Sequence, residues 1–385
     1  HNFTGLTNGI YTLNAYAQDL AGNLNWTEVR TLSLASKIFF IPPTPLNGII
    51  TRNTTFMINT SIMESALGEV NFNWNGTNFT MYDDSLVLMM NLDNRSALGE
   101  NSTYFVDVSR YGNNGTCSGI NCPSLITGVY GKGLNFVEQA YDPQYITINN
   151  SDSININGSI SISVWVMVSS FGSAGVDDVI LSKGWNNIMT FPVPYQYALE
   201  YNTNEGKTFD FFIGNSSSTN FLVRTSSAVS QDVFHHVVGT YNGTTARIYI
   251  DGILNNSVNF VGSVKPRDTP LRLGVDVSLS QLLMGKIDEL MIWNRSLSVD
   301  EVKGLYYSNL YKYNQTQWYF FTNRSSLSDG VYTYQASGGD LFGNKYATEV
   351  RTITIQTNVS GCGVLDRGGL STLGFDVSSS GTCFR

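Results

Sequence analysis

The sequence predicts an all-β protein in which a large antiparallel sandwich is threaded into a loop of a smaller one. Three observations carry that expectation. Alternating apolar and polar runs recur along most of the chain, whereas a helical pattern occurs once, at 298–306. The stretch 6–34 returns without a gap at 327–355. The strands that would complete the second copy lie far upstream of it, before residue 84. Composition agrees with a folded chain: hydrophobic residues are 42% of 385, and charged residues only 14%. Lys and Arg (22) are outnumbered by Asp and Glu (30), a net charge of −8 that lacks the basic face a nucleic-acid binder needs. No apolar run approaches the ~18 residues required to cross a bilayer.

Both copies of the repeat carry Leu-x-x-Gly-x-Tyr (Leu6, Gly9, Tyr11; Leu327, Gly330, Tyr332). This pattern has the form of a tyrosine corner, in which Tyr opens strand F of an immunoglobulin-like sandwich and bonds upstream backbone. An Asp-x-x-Gly-Asn turn follows (Asp19, Gly22, Asn23; Asp340, Gly343, Asn344), and then Glu-Val-Arg-Thr closes the hairpin. Two strands cannot form a sandwich alone, so residues 1–35 are expected to be the C-terminal part of a truncated domain. The second copy does have a front, in which a Pro-rich edge strand (Pro42, Pro43, Pro45) leads into alternating runs at 55–62 and 69–74. Residues 36–82 plus 316–357 therefore read as one discontinuous immunoglobulin-like domain, with 84–314 inserted between its halves.

Within the insert, strand signals fall at 86–92, 145–148, 159–168, 196–201, 209–213, 235–241, 246–251 and 286–293. Asp251-Gly252 between two alternating runs predicts a two-residue hairpin turn. Ser298-x-x-Glu301 is a capping box before Val299, Val302, Leu305 and Tyr306 at helical spacing. Many strands and one short terminal helix predict a jelly-roll sandwich.

These residues also resemble a family. Phe234-His235-His236-Val237-Val238-Gly239-Thr240-Tyr241, followed by Ile248-Tyr249-Ile250-Asp251-Gly252, is similar to the laminin-G-like, concanavalin A-like jelly roll. Gly128-x-Tyr130-Gly131-Lys132-Gly133-Leu134-x-Phe136, Ile162 to Val166 and Ile287 to Ser298 match its early hairpin, central strand and last strand with helix cap, over roughly 84–310. The whole pattern resembles multi-domain surface proteins in which immunoglobulin-like modules carry such insertions. The resemblance implies glycan or protein binding, often with a structural calcium. Residues matching the calcium region are Asp93 and Asp288, with Asp107 or Asn113 completing an oxygen shell. The family's Phe-Asp-Gly reads Phe136-Val137-Glu138 here, so one of its carboxylates is missing.

An enzymatic reading finds little support. Glucanases on this architecture place two carboxyls about 5 Å apart on one strand face. Asp288 and Glu289 are adjacent, and regular alternation sends them to opposite faces. His235 and His236 are likewise adjacent, and a Ser-His-Asp triad on either would need partners brought in by the fold. Asp177-Asp178 reads as a solvated turn. A glycan platform needs exposed aromatics beside polar groups, for which Trp185 and Asn187, with Tyr195, Tyr197 and Tyr201 on one strand face, are the candidates. Those tyrosines read equally as a core face, and Trp74, Trp165 and Trp293 read as core.

Four cysteines in two local pairs, Cys117 with Cys122 and Cys362 with Cys383, suit two disulfides in an oxidising compartment. Eighteen Asn-x-Ser/Thr sequons suit an N-glycosylated extracellular surface. Residues 358–385 resemble the start of a further module, a parallel β-helix. The expected function is non-catalytic adhesion or carbohydrate recognition, with a glycan or cell-surface protein as partner. A structural spacer and an accessory module of a polysaccharide-degrading enzyme are the alternatives.

Overall fold

The computed structural model describes residues 9–34, 37–137, 142–170, 177–184, 195–203, 206–215 and 220–357. The repeat is a structural repeat with one register. Gly9–Leu13 pairs antiparallel with Arg30–Leu34, Gly9 facing Leu34, and Gly330 faces Ile355 in the same way. In both turns the aspartate Oδ1 accepts the Asn N–H four residues on, at 2.9 Å from Asn23 and 2.9 Å from Asn344. Gly22 and Gly343 sit at φ +87° and +86°, the left-handed region that a side chain disfavours. The Tyr332 hydroxyl donates to Ser328 O at 3.1 Å, four residues upstream.

The second copy lies in a small sandwich built from both flanks of the chain. One sheet runs Ser308–Asn314, Gln317–Arg324, Phe56–Met63, Ile38–Ile41. The other runs Ile49–Thr51, Arg351–Ile355, Gly330–Asp340, Leu67–Trp74, Thr77–Tyr82, with Lys345–Ala347 beside Gly330–Asp340. Each sheet pairs upstream strands with downstream ones: Trp318 faces Ile62, and Ala336 faces Phe72. Ile58, Ile62, Phe72, Trp318, Phe320 and Tyr334 fill the space between the sheets. The chain re-enters this sandwich at Ser308, not at 316. Ser308–Asn314 follows the helix with no turn residue between them, since Ser308, the helix C-cap, is already extended (φ −133°, ψ 155°).

The larger sandwich has two eight-stranded sheets. Gly285–Trp293 and Ile160–Val168 are central strands of one, which ends at the hairpin Thr245–Ile250 and Ile253–Asn259. Asp178–Gly184, Tyr195–Asn202 and Thr208–Gly214 form the middle of the other. Asp251 (φ +51°) and Gly252 (φ +78°) make the two-residue turn, with Ile250 facing Ile253. Val164, Tyr197, Phe211, Val237, Ile248 and Leu273 lie in its core. Leu86–Met90 is buried along its whole length, because Leu88 faces this core while Met89 faces the neighbouring one. Trp293, Met291, Val238 and Tyr249 share that second cluster with helix residues Val302 and Leu305, so the two sandwiches are joined by apolar packing.

Candidate functional site

The four proposed calcium ligands fall into two separate hydrogen-bond networks. Asp93 Oδ1 accepts the Lys132 N–H (2.8 Å), and its Oδ2 pairs with Arg95 (2.8 Å). Asp288 Oδ2 accepts the Tyr130 N–H at 3.0 Å. The 128–131 turn lies against both carboxylates, so close that a Cβ on Gly128 would sit 2.3 Å from Asp288 Oδ2. Asp107 instead accepts the N–H groups of Met89, Ser109 and Asn113 and the Ser109 hydroxyl. Asn113 donates to Val87 O and Ser153 Oγ. These carboxylates are met by protein donors, and among the described residues no group of three or more His, Cys, Asp or Glu is placed to hold a metal ion. The residues do not fit the expected calcium shell.

Asp288 and Glu289 depart from regular alternation. The pairing with Ile160–Val168 slips between Ser163 and Trp165, and Glu289 takes φ +50°, so the strand bulges there. Both carboxyls are buried. Glu289 accepts from Asn91 Nδ2 (2.6 Å) and Asn309 Nδ2 (2.7 Å), where the two sandwiches meet. Burial, then the Asp93 charge, lifts the Asp288 carboxyl to about 8. Burial, reinforced by Asp288, pushes Glu289 well above the usual carboxyl range. Glu289 therefore keeps a proton that the unfolded chain has released above about pH 4.3. Stability falls as pH rises from that value toward the folded-state pKa. Asn91 Oδ1 and Asn309 Oδ1 have no donor among the described residues, and an acid proton or a Gln amide at 289 supplies one of them once that Asn amide turns over. Glu289→Gln should flatten the slope of Tm between pH 5 and 8 and raise Tm at pH 8 by about 2–6 °C. Thermal melts at both pH values check this, and an unchanged slope would refute it.

The tyrosines expected in an aromatic platform are core residues. Tyr195, Tyr197 and Tyr201 are 4%, 0% and 0% exposed. The Tyr197 and Tyr201 hydroxyls donate to Ile154 O (3.0 Å) and Val229 O (2.8 Å) inside the sandwich. A register slip opposite Lys183 and Gly184 turns Tyr195 away from the other two, toward Ala198 and Val277. Trp185 and Asn187 lie outside the described residues, as do Cys362 and Cys383, while the Cys117–Cys122 disulfide is formed. Asp178 is buried rather than solvated, and it holds the Met284 N–H and the Thr203 hydroxyl.

His235 joins a chain with the spacing of a catalytic relay: Ser230 Oγ lies 2.8 Å from its Nε2, and Asp251 Oδ2 lies 2.8 Å from its Nδ1. Asp251 belongs to the hairpin turn, and its other oxygen accepts the His236 N–H at 2.9 Å. Neither cleft of about 380 or about 470 Å³ includes these residues. The relay thus braces a turn. His236 is buried with Nε2 2.8 Å from Ser163 Oγ, and burial holds its pKa down to about 4.

The cleft of about 380 Å³ opens where the helix Val299–Tyr307 lies against the small sandwich. Its lining includes Trp74, Phe79, Asp300, Lys303, Tyr307 and Arg324. Gly304 permits this approach, since a Cβ there would stand 2.8 Å from the Phe79 ring. Trp74 is half-buried rather than core, stacked on Tyr332 with centroids 5.5 Å apart. Arg324 sits among Phe72, Trp74 and Phe79, 4.9 Å from the Trp74 centroid. Nothing in the sequence reading singled out Tyr307, Lys303 or Arg324 as site residues. The available signal was the period-two row Trp318, Phe320, Thr322, Arg324, an inward row that ends in a cation.

Residues 142–303 match the sequence profile of the concanavalin A-like lectin/glucanases superfamily. The matched residues lie within the larger sandwich, whose two eight-stranded sheets are similar to a concanavalin A-like jelly roll. Among solved structures, the binding domain of Paraclostridial Mosquitocidal Protein 1 is similar at 16% identity and a TM-score of 0.45. That match covers 58% of this chain and 52% of the other, so the chain spans about half the length of that domain. Domain 4 of AbnA, a GH43 extracellular arabinanase from Geobacillus stearothermophilus solved with arabinotriose, matches at 18% identity and TM-score 0.44, covering 57% of this chain and 98% of that one. The botulinum neurotoxin serotype G binding domain matches at 11% identity and TM-score 0.44, covering 71% and 80%. No curated protein matches the chain. Among the described residues, no helix is long and apolar enough to cross a membrane.

Proposed function

We propose that this chain is a non-catalytic, extracellular or cell-surface module that binds carbohydrate. In this reading the jelly roll is carried by an immunoglobulin-like stalk made of the chain's two flanks. The observation that carries the proposal is the cleft between helix and small sandwich. It joins half-buried aromatic walls, Trp74 and Tyr307, to polar groups, Arg324, Asp300 and Asn323, the combination that recognises both the C–H surface and the hydroxyls of a sugar. The Cys117–Cys122 disulfide and the dense sequons support an extracellular setting. The Tyr332 hydroxyl bond supports the immunoglobulin-like assignment of the stalk. The non-catalytic reading is supported by Glu289, whose carboxyl is buried between two asparagines and cannot reach a glycosidic bond.

A glycan array probed with the wild-type chain, Tyr307→Ala and Trp74→Leu tests the proposal. The expected result is binding to a defined subset of glycans, weakened at least about tenfold by both substitutions. Silence of the wild type, or binding that both variants retain, would overturn it and favour a structural spacer.

A further inference from the structure

The geometry points to a carboxylate-bearing sugar as the occupant of this cleft, held by the Arg324 guanidinium. The inference rests on the carbohydrate-binding reading and narrows it. Some arginines of the fold have carboxylate partners: Arg295 grips Glu301 through Nη1 (3.0 Å) and Nη2 (2.7 Å), and Arg224 grips Asp210 at 2.7 Å. Arg324 is packed instead among three aromatic rings. Ring faces attract a cation but do not replace an oxygen acceptor for its N–H groups. Its Nε and Nη2 are buried without an acceptor among the described residues, so the end it can offer to the cleft is Nη1. Burial also lowers its pKa to about 10, so the charge is held at a cost that an incoming anion would offset.

A carboxylate oxygen is the anionic acceptor that suits the accessible Nη1 end of the guanidinium, through a charge-assisted hydrogen bond. Lys303, exposed on the helix, adds a second positive charge to the lining, and Asp300 contributes one negative charge. The cleft thus carries one positive charge in excess, in a chain whose net charge is −8. That balance suits one carboxylate per sugar rather than a sulfated or phosphorylated polyanion. Asp300 is left to accept from sugar hydroxyls, and Phe79, Trp74 and Tyr307 supply the apolar wall. A volume of about 380 Å³ lies within the range of small-ligand sites.

Uronates and sialates share this chemistry, and a calorimetric titration separates them. The full chain is made in a host without N-glycosylation, so that the sequon asparagines on the cleft, Asn75 and Asn323, stay bare. It is titrated with tetragalacturonate and with 3′-sialyllactose, each beside its methyl ester. The expected result is that one acid binds at least about tenfold more tightly than its ester, and the arm that does so names the source. Arg324→Gln should erase the difference and leave ester binding in place. Lys303→Gln, on an exposed helix position, should weaken the acid about two- to threefold, and this variant decides the matter should Arg324→Gln misfold. Equal binding of acid and ester by the wild type, an acid preference that survives Arg324→Gln, or one that Lys303→Gln leaves undiminished, overturns the inference while the carbohydrate reading stands. Silence toward these probes and toward every glycan on the array overturns both.

Discussion

Trp318→Ala is expected to cost about 3–5 kcal/mol of stability. The indole is 1% exposed, and its Nε1 donates to Glu64 O at 3.0 Å. Tyr82 meets it edge-on at 5.4 Å, and the Lys312 ammonium lies over it at 5.1 Å. Truncation leaves a cavity between the two small sheets and an unmatched carbonyl at Glu64. The damage does not stop at the small sandwich, because the same apolar cluster includes Met291, Trp293 and Leu297. Loss of Trp318 should therefore lower the urea midpoint for the whole cluster, read by near-ultraviolet circular dichroism. A cost under about 1 kcal/mol would contradict this packing.

Lys183→Met is expected to cost a similar amount, about 3–5 kcal/mol, although it preserves most of the side-chain volume. The residue is fully buried, and its ammonium spends all three protons on Asn150 Oδ1 (2.7 Å), Arg267 O (2.6 Å) and Thr269 O (2.6 Å). It pins the 267–269 segment to Asp178–Gly184. Methionine fills the space and leaves three acceptors without donors. Burial draws the lysine pKa down to about 8, with the Asp268 charge opposing the shift. From about pH 8 to about 10.4 the unfolded chain binds the proton that the folded chain has released, so this residue makes stability rise with pH there. Chemical denaturation at pH 7 and pH 9.5 reads both effects. A variant as stable as wild type at pH 7, or one that keeps the wild-type rise to pH 9.5, would refute the assignment.

Strand positions were legible because alternation and turn chemistry are local. The Asp251-Gly252 turn, the Ser298/Glu301 capping box and the register of the repeat each rest on a few neighbouring residues. Facing was legible only where strands stay regular. The bulge at Glu289 and the slip at Tyr195 reset parity in mid-strand, which is why one carboxylate and one tyrosine were assigned to the wrong side. The calcium expectation came from residue types and order, whereas the 128–131 turn decides what those carboxylates bond. The cleft was least legible: Trp74, Tyr307 and Arg324 are far apart in the chain and meet only because the helix docks on the small sandwich.

The pairing of Gln317–Arg324 with Phe56–Met63 has a mechanical consequence. When tension is applied between Ile38 and Ile355, the pull crosses that ladder and the contact of Phe56–Met63 with Ile38–Ile41. The jelly roll hangs off this load path as a side branch. Its own hairpins feel no force until this ladder and the pairings of Gly330–Asp340 with Leu67–Trp74 and of Arg351–Ile355 with Ile49–Thr51 part, so a stretched chain keeps the branch folded while the stem carries the strain.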